Sequence, residues 1–394
     1  MNILILNTYY YPNIIGGTEE SIKLLAEGLS KKGHNVIVFS ADGIDKSIKA
    51  KNYNGVTVVR TKGILYKNKS NWFVYRMLDC FNPLFLRKLS KVIEQFKIEV
   101  VLTNNLFFIS PYVWKFIKKK HNLKVVHTIR DIWLFCPKDK LNAGKKIPAK
   151  CNNPFCKLYR NYIKFLSGFV DAVCAPSNFI LNFFISKGYF KNAQKRVIPN
   201  SIDFEQISIK NMVDWRIRNL KTNKRTRFLY MGRLSYEKGI INLLNAFEKL
   251  ECSHAELLIC GRGPLENEVK KLSSQNPRIK YFGFVQDSEK EAIFSFSDVL
   301  VFPSLLYESF GRVIIEAYAH GLPVIATNVG AINEIVNDGK TGLLIEPHNE
   351  NLLVEAMKKM CDKNLQKAML FNIITFISRF QLKNQLEMYE EVFG

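Results

Sequence analysis

The chain has 394 residues and a net charge of +22, from 57 Lys and Arg against 35 Asp and Glu. The length predicts two or three domains with ample core, and a hydrophobic content of 47 % is ordinary for a globular protein. No run of about 18 apolar residues occurs, which excludes a transmembrane helix. The start, MNILILNTYYYP, lacks basic residues and is typical of a buried first strand, not of a signal peptide. We therefore expect a cytoplasmic protein.

The excess of cations indicates an anionic partner: nucleic acid, a membrane surface or phosphorylated substrates. A Lys-rich and Asn-rich composition without functional meaning is the alternative. No nucleic-acid-binding motif is present, so no nucleic-acid partner is expected. The stretches from Trp114 to Lys120 and from Lys67 to Lys91 mix cations with aromatic residues. Such mixtures are typical of an interfacial helix on anionic lipid, and they also fit core-facing helices with a solvated basic edge.

The eight cysteines give no disulfide framework in a cytoplasmic chain of this length. Cys136, Cys151 and Cys156 fall close together in a loop-like stretch. Three thiols could hold a structural metal, but a fourth ligand is not evident and the spacing is not that of a known zinc module. No metal site is therefore predicted.

The first half of the chain alternates buried strands with helices. Gly16 and Gly17 precede an amphipathic helix from Thr18 to Lys32, with Thr18 as the expected N-cap. The predicted strands are Ile3 to Asn7, Asn35 to Ser40, Val56 to Arg60, Val100 to Thr103, Val125 to Thr128 and Ala172 to Ala175.

A second series of the same kind begins near residue 228, after a polar and basic segment. Its first helix is predicted from Gly239 to Leu250, and a helical segment from Leu365 to Gly394 closes the chain. Its predicted strands are Phe228 to Met231, Leu257 to Cys260, Ile279 to Phe282, Val299 to Phe302, Val324 to Ala326 and Gly342 to Ile345.

Apolar strands separated by helices imply parallel sheets covered on both faces. The fold class is therefore α/β, with two doubly wound, Rossmann-like domains. We place the first domain at residues 1–203, with the helix at 366–394 returning to it, and the second at 204–365. Two such domains in tandem are expected to face each other across a cleft at the carboxyl ends of their strands, where ligands bind.

The stretch from Tyr307 to Gly330 carries two carboxylates, Glu308 and Glu316, on either side of Ser309-Phe310-Gly311. The three residues open a predicted helix, whose unpaired N–H groups form an anion site. A carboxylate instead accepts hydrogen bonds from sugar hydroxyls. A nucleotide-sugar, with hydroxyls at both ends and phosphates between them, fits this layout. The alternative is a capped helix with solvent-facing glutamates.

Three more loops follow predicted strands or precede helices. Gly16-Gly17 allows a ligand close to the backbone, or simply makes a tight turn. In Gly232 to Gly239, Arg233 and Lys238 can both reach a diphosphate, although a surface pair bonded to Glu237 is equally consistent. Gly261 to Leu265 is interpreted as a structural turn beside the site.

The combination GRLSYEKG, GRGPLE, YFGFV and YESFGRVIIEAYAHGLPVIATNVG, with GGTEE, APSNFI and VIPNSID earlier, resembles the retaining glycosyltransferases of family 4 over nearly the whole chain. That family has the GT-B fold. The resemblance implies a transferase that moves a hexose-type sugar from a UDP- or GDP-sugar to a glycan acceptor. With the basic surface, it suggests a lipid-linked acceptor, surface-polysaccharide synthesis and peripheral attachment to the inner face of the cell membrane.

The resemblance also implies roles for individual residues. Arg233 and Lys238 would bind the donor diphosphate, Glu308 the transferred sugar and Glu316 the ribose. The catalytic residues would be Glu308, Lys238 and Arg233, without a metal or other cofactor. Further donor contacts would come from Gly16, Gly17, Gly263, Phe284, Val285, Ser309, Phe310 and Gly311.

Two positions depart from the family pattern. Arg130 stands where the family commonly has histidine, in a segment HTIRDIWLFCP that places Arg130 and Asp131 on the acceptor side. His127 is more typical of a buried histidine than of a catalytic one. Ser201 replaces a common glycine after Asn200. A catalytically silent GT-B scaffold, a nucleotide-sugar epimerase and a sugar phosphorylase are the alternative functions; the intact set of four charged residues favours transfer.

Overall fold

The structure is a computed structural model that describes residues 1–14, 16–43, 49–61, 80–135, 154–204, 206–222 and 225–394. The described residues form two compact units. The first contains the described residues up to Ser201 together with Leu382–Gly394, and the second contains Ile202–Gln381.

The first unit is built on one sheet in the order β3-β4-β2-β1-β5-β6-β7-β8. All neighbours are parallel except β3 and β4. The edge strands β3 and β8 were not predicted, because a strand at a sheet edge does not need a continuous apolar run. The strands are β1 (Asn2–Asn7), β2 (Asn35–Ser40), β3 (Lys49–Tyr53), β4 (Val56–Arg60), β5 (Val100–Thr103), β6 (Lys124–Thr128), β7 (Ala172–Ala175) and β8 (Gln194–Val197).

The second unit has a fully parallel sheet in the order β11-β10-β9-β12-β13-β14. Phe228 and Tyr230 of β9 belong to one buried cluster, whereas Leu229 between them belongs to the other. Both faces of the strand are therefore covered, which explains its continuous apolar sequence. The strands are β9 (Thr226–Met231), β10 (Ala255–Cys260), β11 (Ile279–Gly283), β12 (Val299–Phe302), β13 (Val324–Thr327) and β14 (Gly342–Ile345).

Helices connect the strands in both units. They are α1 (Gly17–Lys31), α2 (Pro83–Gln95), α3 (Tyr112–Phe116), α4 (Pro154–Ser167), α5 (Asn178–Ser186), α6 (Gln206–Thr222), α7 (Ile240–Glu248), α8 (Glu266–Gln275), α9 (Asp287–Phe296), α10 (Arg312–Ala319), α11 (Ile332–Ile335), α12 (Glu350–Met360), α13 (Lys363–Ile377) and α14 (Leu382–Phe393). In the part of the chain that the structure describes, no helix is long and apolar enough to cross a membrane.

The chain returns to the first unit later than the sequence analysis placed it. The predicted helical segment at 366–394 is divided into α13 and α14 by a 3₁₀ turn, Ser378–Phe380. Helix α13 buries Leu370, Ile373 and Ile377 in the core of the second unit, so only Leu382–Gly394 returns. The boundary between the units follows Ser201 rather than residue 203.

Helix α14 completes the core of the first unit. Its residues Leu386, Tyr389 and Val392 are buried with side chains of α1 and of the central strands. The Tyr389 hydroxyl lies 2.9 Å from Thr128 Oγ1, at the end of β6. The last helix therefore contributes to the core beneath the carboxyl end of that strand.

His127, on β6, is buried in this unit as the sequence suggested. Its Nδ1 lies 2.9 Å from Thr103 Oγ1, which also accepts a hydrogen bond of 3.0 Å from Trp114 Nε1. The imidazole packs between Trp114 and Phe190. Burial lowers the pKa of His127 to about 3.

Tight crossings between loops shape the carboxyl edge of the second sheet. Gly239, which precedes α7, has φ of +71°, and a Cβ there would lie 1.9 Å from the carbonyl oxygen of Pro303. Leu305 N donates 2.8 Å to the carbonyl of Glu237. The loops that follow β9 and β12 are therefore in backbone contact, and only glycine fits at 239.

The burial of His127 predicts a defined pH dependence of stability. Between about pH 3 and 6.5 the unfolded chain binds a proton that the folded His127 excludes, so stability present above pH 6.5 is lost as the pH falls. The slope from this one group approaches about 1.4 kcal/mol per pH unit. His127→Gln should reduce the slope of the unfolding free energy between pH 7 and 5.5, measured in urea. The exposed-site variant His348→Gln should keep the wild-type slope; equal slopes for all three proteins would contradict the prediction.

Gly239→Ala should destabilise the second unit by about 3 kcal/mol or more, because left-handed strain and a backbone clash add together. Gly339→Ala is the matched control, since Gly339 has the same φ of +71° but no atom within 4 Å of where a Cβ would lie. It should cost only the strain, about 1 kcal/mol. Urea unfolding of both variants measures the difference. Similar decreases in unfolding free energy would show that the carbonyl of Pro303 leaves room for a side chain at position 239.

Candidate functional site

The candidate site lies where the strand order of the second sheet reverses. From β9 the chain continues to β10 on one side, and β12 pairs with β9 on the other side. The chain thus leaves β9 and β12 toward opposite ends of the sheet, and doubly wound sheets bind ligands in the crevice at such a reversal of strand order. The loop after β9 contains Arg233 and Lys238, and the loop after β12 contains Glu308.

Lys238 and Glu308 form an ion pair across this crevice. Lys238 Nζ lies 2.6 Å from Glu308 Oε1, and Ser304 Oγ donates 2.5 Å to the same oxygen. Both the ion pair with Lys238 and the hydrogen bond from Ser304 end on Oε1, so neither involves Oε2 of Glu308. The sequence alternative, in which Arg233 and Lys238 form a surface pair bonded to Glu237, did not include this contact with Glu308. The pair holds a cation and a carboxylate side by side at the edge of the sheet.

Arg233 is placed differently from Lys238. Its side chain is exposed, and within the described residues its guanidinium forms no ion pair. The backbone is fixed, because the hydroxyl of the buried Tyr230 donates 2.8 Å to the carbonyl of Arg233. Burial raises the pKa of Tyr230, so the hydroxyl stays protonated and keeps this bond. Arg233 is thus anchored through its backbone, with its charged end group available to an anion.

Helix α10 begins shortly after Glu308, as predicted. Its N-cap is Gly311, with φ of +129° and no side-chain cap. The ring of Phe310 is buried in the core and meets Phe380, so Phe310 can serve a ligand only through its amide. The amides of Phe310 and Gly311 donate to no other described residue. They present N–H groups at the positive end of the helix dipole.

Glu316 lies on α10 between two cations. Arg312 Nε is 2.9 Å from Oε1, and Lys290 Nζ is 2.9 Å from Oε2. The side chains of Glu308 and Glu316 are only 15 % and 12 % exposed. The alternative of a capped helix with solvent-facing glutamates is therefore wrong.

The partners of the two glutamates were missed from the sequence. The spacing of Arg312 and Glu316, four residues apart on a helix, was a usable signal. Lys290 gave none, because it reaches the site from α9. Ser304 lies four residues before Glu308 in the same loop, where no regular period marks such a contact. Both carboxylates thus sit in a positive environment, and each has a lone pair left for a hydroxyl donor.

The loop after β10 supports the loop after β9. A Cβ at Gly263 would lie 2.2 Å from the carbonyl oxygen of Leu234. Leu234 N donates 3.0 Å to the carbonyl of Arg262, and Leu265 N donates 3.1 Å to that of Leu234. Gly263 is therefore required by this close approach, in agreement with the prediction of a structural turn.

Phe284 and Val285 follow β11 at the end of the same edge. Phe284 is exposed, and the guanidinium carbon of Arg262 lies 5.8 Å from its ring centroid. Val285 packs against the core, so its side chain is turned away from solvent. An exposed aromatic beside an arginine can stack on a planar group.

In the first unit, Gly16 and Gly17 precede and begin α1. The N-cap is Gly16, whose amide donates 2.9 Å to Glu19 Oε2, so the expected N-cap Thr18 is wrong. The Glu19 carboxylate accepts this bond from Gly16, which explains why the helix begins at Gly17 and not after Thr18. Nothing lies within 4 Å of a Cβ position at Gly16, so the backbone there is open to a ligand.

Arg130 lies at the carboxyl edge of the first sheet and is buried. Its Nε donates 3.2 Å to Asn104 Oδ1, and its Nη1 donates to Asn200 Oδ1. The two asparagines follow β5 and β8, so three strand ends converge on this guanidinium. Asp131 accepts a bond of 3.0 Å from Trp133 N and fixes the local turn.

Among the described residues, no group of three or more His, Cys, Asp and Glu could hold a metal ion. Cys136 and Cys151 lie outside the described residues, and Cys156 is a free thiol. The cation–aromatic stretch from Lys67 to Lys91 also lies in large part outside them. The described groups that could meet a phosphate are cationic side chains and helix amides.

Comparisons with known proteins match both halves of the chain. The family model for glycosyl transferases group 1 matches residues 212–375, and that for Glycosyltransferase Family 4 matches residues 15–206. An uncharacterized 42.6 kDa protein in the cps region of Klebsiella pneumoniae is 30 % identical, over 85 % of this chain and 87 % of its own. The O-antigen chain mannosyltransferase C of Escherichia coli is 25 % identical, over 91 % and 88 %.

Solved structures share the fold along the full length. Sucrose-phosphate synthase from Thermosynechococcus elongatus has a TM-score of 0.77 at 20 % identity, covering 100 % of this chain and 98 % of its own. Anabaena HepE in complex with UDP has a TM-score of 0.71 at 18 % identity, covering 100 % and 99 %. At these identities the likeness shows the fold alone. The predicted family, GT-B fold and transferase class are thereby confirmed: the chain belongs to the group 1, family 4 glycosyltransferases of the GT-B fold.

Proposed function

We propose that this glycosyltransferase moves a hexose-type sugar from a UDP- or GDP-sugar to a lipid-linked glycan acceptor in surface-polysaccharide synthesis, with retention of anomeric configuration. The observation that carries the proposal is the convergence of Lys238, Glu308 and the start of α10 at the strand reversal of the second sheet. The relatives support the pathway, because one is encoded in a cps region and another acts on O-antigen chains. Anabaena HepE binds UDP on the same fold.

The donor diphosphate is the ligand that this charge pattern fits best. Lys238 supplies a point charge, the exposed Arg233 a planar fork, and α10 supplies amides. These groups are in place before the reaction, so they stabilise the diphosphate as the bond to the sugar breaks. The proposed reaction uses these groups in place of a metal ion.

The two glutamates then serve the two ends of the donor. Glu308, held by Lys238 and Ser304, would accept from hydroxyls of the transferred sugar. Glu316, held by Lys290 and Arg312, would accept from the ribose hydroxyls. The nucleobase would lie at the exposed ring of Phe284, against the loop after β11.

For the retaining step we favour a front-face displacement. The bond from C1 of the sugar to the phosphate oxygen breaks and its electron pair stays on the diphosphate. The acceptor oxygen attacks C1 from the same side, and its proton passes to a donor phosphate oxygen. Lys238 and Arg233 would stabilise the charge on that phosphate. A nucleophile on the opposite face is not needed.

A catalytically silent scaffold is the second candidate. The pairing of Glu308 with Lys238 is compatible with a purely structural ion pair. Partially exposed charges that only stabilise the fold would tolerate replacement as pairs, whereas a donor site would not. The transfer assay described next separates the two functions. It also separates an epimerase, which would act on the nucleotide-sugar without an acceptor, and a phosphorylase, which would need phosphate or a sugar 1-phosphate in place of a nucleotide-sugar.

Lys238→Ala and Glu308→Gln should each lower kcat for sugar transfer by about 10²- to 10³-fold, because each removes a preorganised contact to the transition state. Lys249→Ala and Glu350→Gln are matched controls, since these residues form an ion pair at a more exposed place in the same unit. Transfer from a panel of UDP- and GDP-sugars to a lipid-linked acceptor is the assay. Stabilisation by UDP, GDP or ADP is read in parallel as a thermal shift. No shift with any nucleotide would favour the scaffold.

Transfer should continue at an unchanged rate in excess EDTA, because cationic side chains and helix amides take the place of a metal at the diphosphate. The first product formed should have the anomeric configuration of the donor. Proton NMR of the anomeric signal during a reaction run in EDTA checks both. Loss of activity that Mg²⁺ restores, or an inverted product, would contradict the proposed mechanism.

A further inference from the structure

Helix α4 of the first unit exposes a second apolar stripe beside the one it buries. Ile163 and Leu166 are buried, whereas Phe155, Leu158 and Phe165 are 62 %, 70 % and 56 % exposed. At 3.6 residues per turn, the three exposed residues share about a quarter of the helix circumference. A surface helix of this kind normally turns polar residues outward. Clustered exposed apolar side chains indicate an interaction surface.

Exposed apolar side chains also lie on neighbouring elements of the same unit. Tyr162 of α4 donates 2.9 Å to the carbonyl of Cys80, next to the exposed Phe81, and the Phe81 ring lies 4.9 Å from that of Tyr112. Leu84, on the first turn of α2, is 69 % exposed. We call Phe81, Leu84, Phe155, Leu158 and Phe165 the α4 surface.

Cations lie beside the α4 surface. Residues 154–167 and 112–121 contain seven Lys and Arg and no carboxylate, although Arg160 and Lys164 lie over the rings of Phe135 and Tyr189. Lys115 Nζ lies 5.4 Å from the ring of Phe165, so charge and apolar surface are directly adjacent. Lys157 on α4 is exposed. The occupant of this surface therefore has to be both apolar and anionic.

An anionic lipid bilayer meets both requirements. A second copy of the chain would bring the same cations together and be repelled. A bilayer offers acyl chains to the apolar side chains and phosphates to the lysines, each of which adds about 1 kcal/mol of attraction near an anionic membrane. Helix α4 has 14 residues, too short to span a bilayer, so it would lie in the interface.

We propose that the α4 surface docks this glycosyltransferase on anionic lipid, with Leu84, Leu158 and Phe165 inserted among the headgroups. The inference deepens the proposed function and rests on its lipid-linked acceptor. It also centres the docking site on α4 and not on the lysine run that the sequence suggested, of which Lys115 borders the α4 surface. In that run Lys118 pairs with Asp171 at 2.8 Å and Lys120 lies over Phe116, so part of its charge faces the protein.

The test is co-flotation of the full-length protein with vesicles of phosphatidylglycerol and phosphatidylcholine, and of phosphatidylcholine alone. Wild type should bind only the anionic vesicles. The triple variant Leu84→Ser, Leu158→Ser and Phe165→Ser should bind at least tenfold more weakly. A double variant, Phe371→Ser and Met388→Ser, removes exposed apolar side chains elsewhere and should bind like wild type.

Several outcomes would overturn the proposal. Wild-type binding by the triple variant would do so, as would equal binding of wild type to neutral vesicles. A dimer of the wild type that the triple variant loses, seen by light scattering, would assign the α4 surface to a second copy. Leu158→Glu alone, at the most exposed position, should also weaken flotation. This single variant is the control for a folding defect in the triple variant. The thermal shift with nucleotides should be the same in all variants. Its absence in wild type would refute the proposed donor site and would leave the result of the vesicle experiment unchanged.

Discussion

The ion pair between Lys238 and Glu308 is the contact on which the candidate site depends. It joins the loops after β9 and β12, the two strands at which the order of the second sheet reverses. A second link, from Leu305 N to the carbonyl of Glu237, holds the same loops through their backbones. Because both links lie at the carboxyl edge, the position of the start of α10 relative to Lys238 is set by the sheet itself.

Charge balance at this edge follows a consistent pattern. Glu308 is paired with Lys238, and Glu316 is paired with Lys290 and Arg312. Largely buried carboxylates need such partners, since an unpaired charge in a poorly solvated place is costly. Beside these pairs, Arg233 and the amides of Phe310 and Gly311 are open to an anion. The proposed donor would place its hydroxyls at the two carboxylates and its phosphates at these groups.

Arg130 is the charged residue of the first unit that the sequence analysis expected to depart from the family pattern. The structure buries it between Asn104 and Asn200. Two amide oxygens that follow different strands hold the guanidinium, so Arg130 is part of the buried hydrogen-bond network at the carboxyl edge and not a surface residue. A permanent cation replaces a group that would titrate near neutral pH. The acceptor side of this enzyme is therefore expected to differ from that of relatives with histidine.

The sequence alone determined most of the succession of strands and helices, the two-sheet architecture, the family and the loops that hold the candidate site. It could do so because buried parallel strands have continuous apolar runs and because the motif residues lie in loops directly after them. It did not show the edge strands β3 and β8, which lack that signal, or the return of the chain at Leu382 instead of 366. Only the tertiary structure decided that Lys238 pairs with Glu308, that Lys290 reaches Glu316, and that α4 leaves an apolar stripe exposed. Each of these depends on how segments distant in the sequence pack together. Local sequence patterns do not indicate which side chains from such segments come into contact.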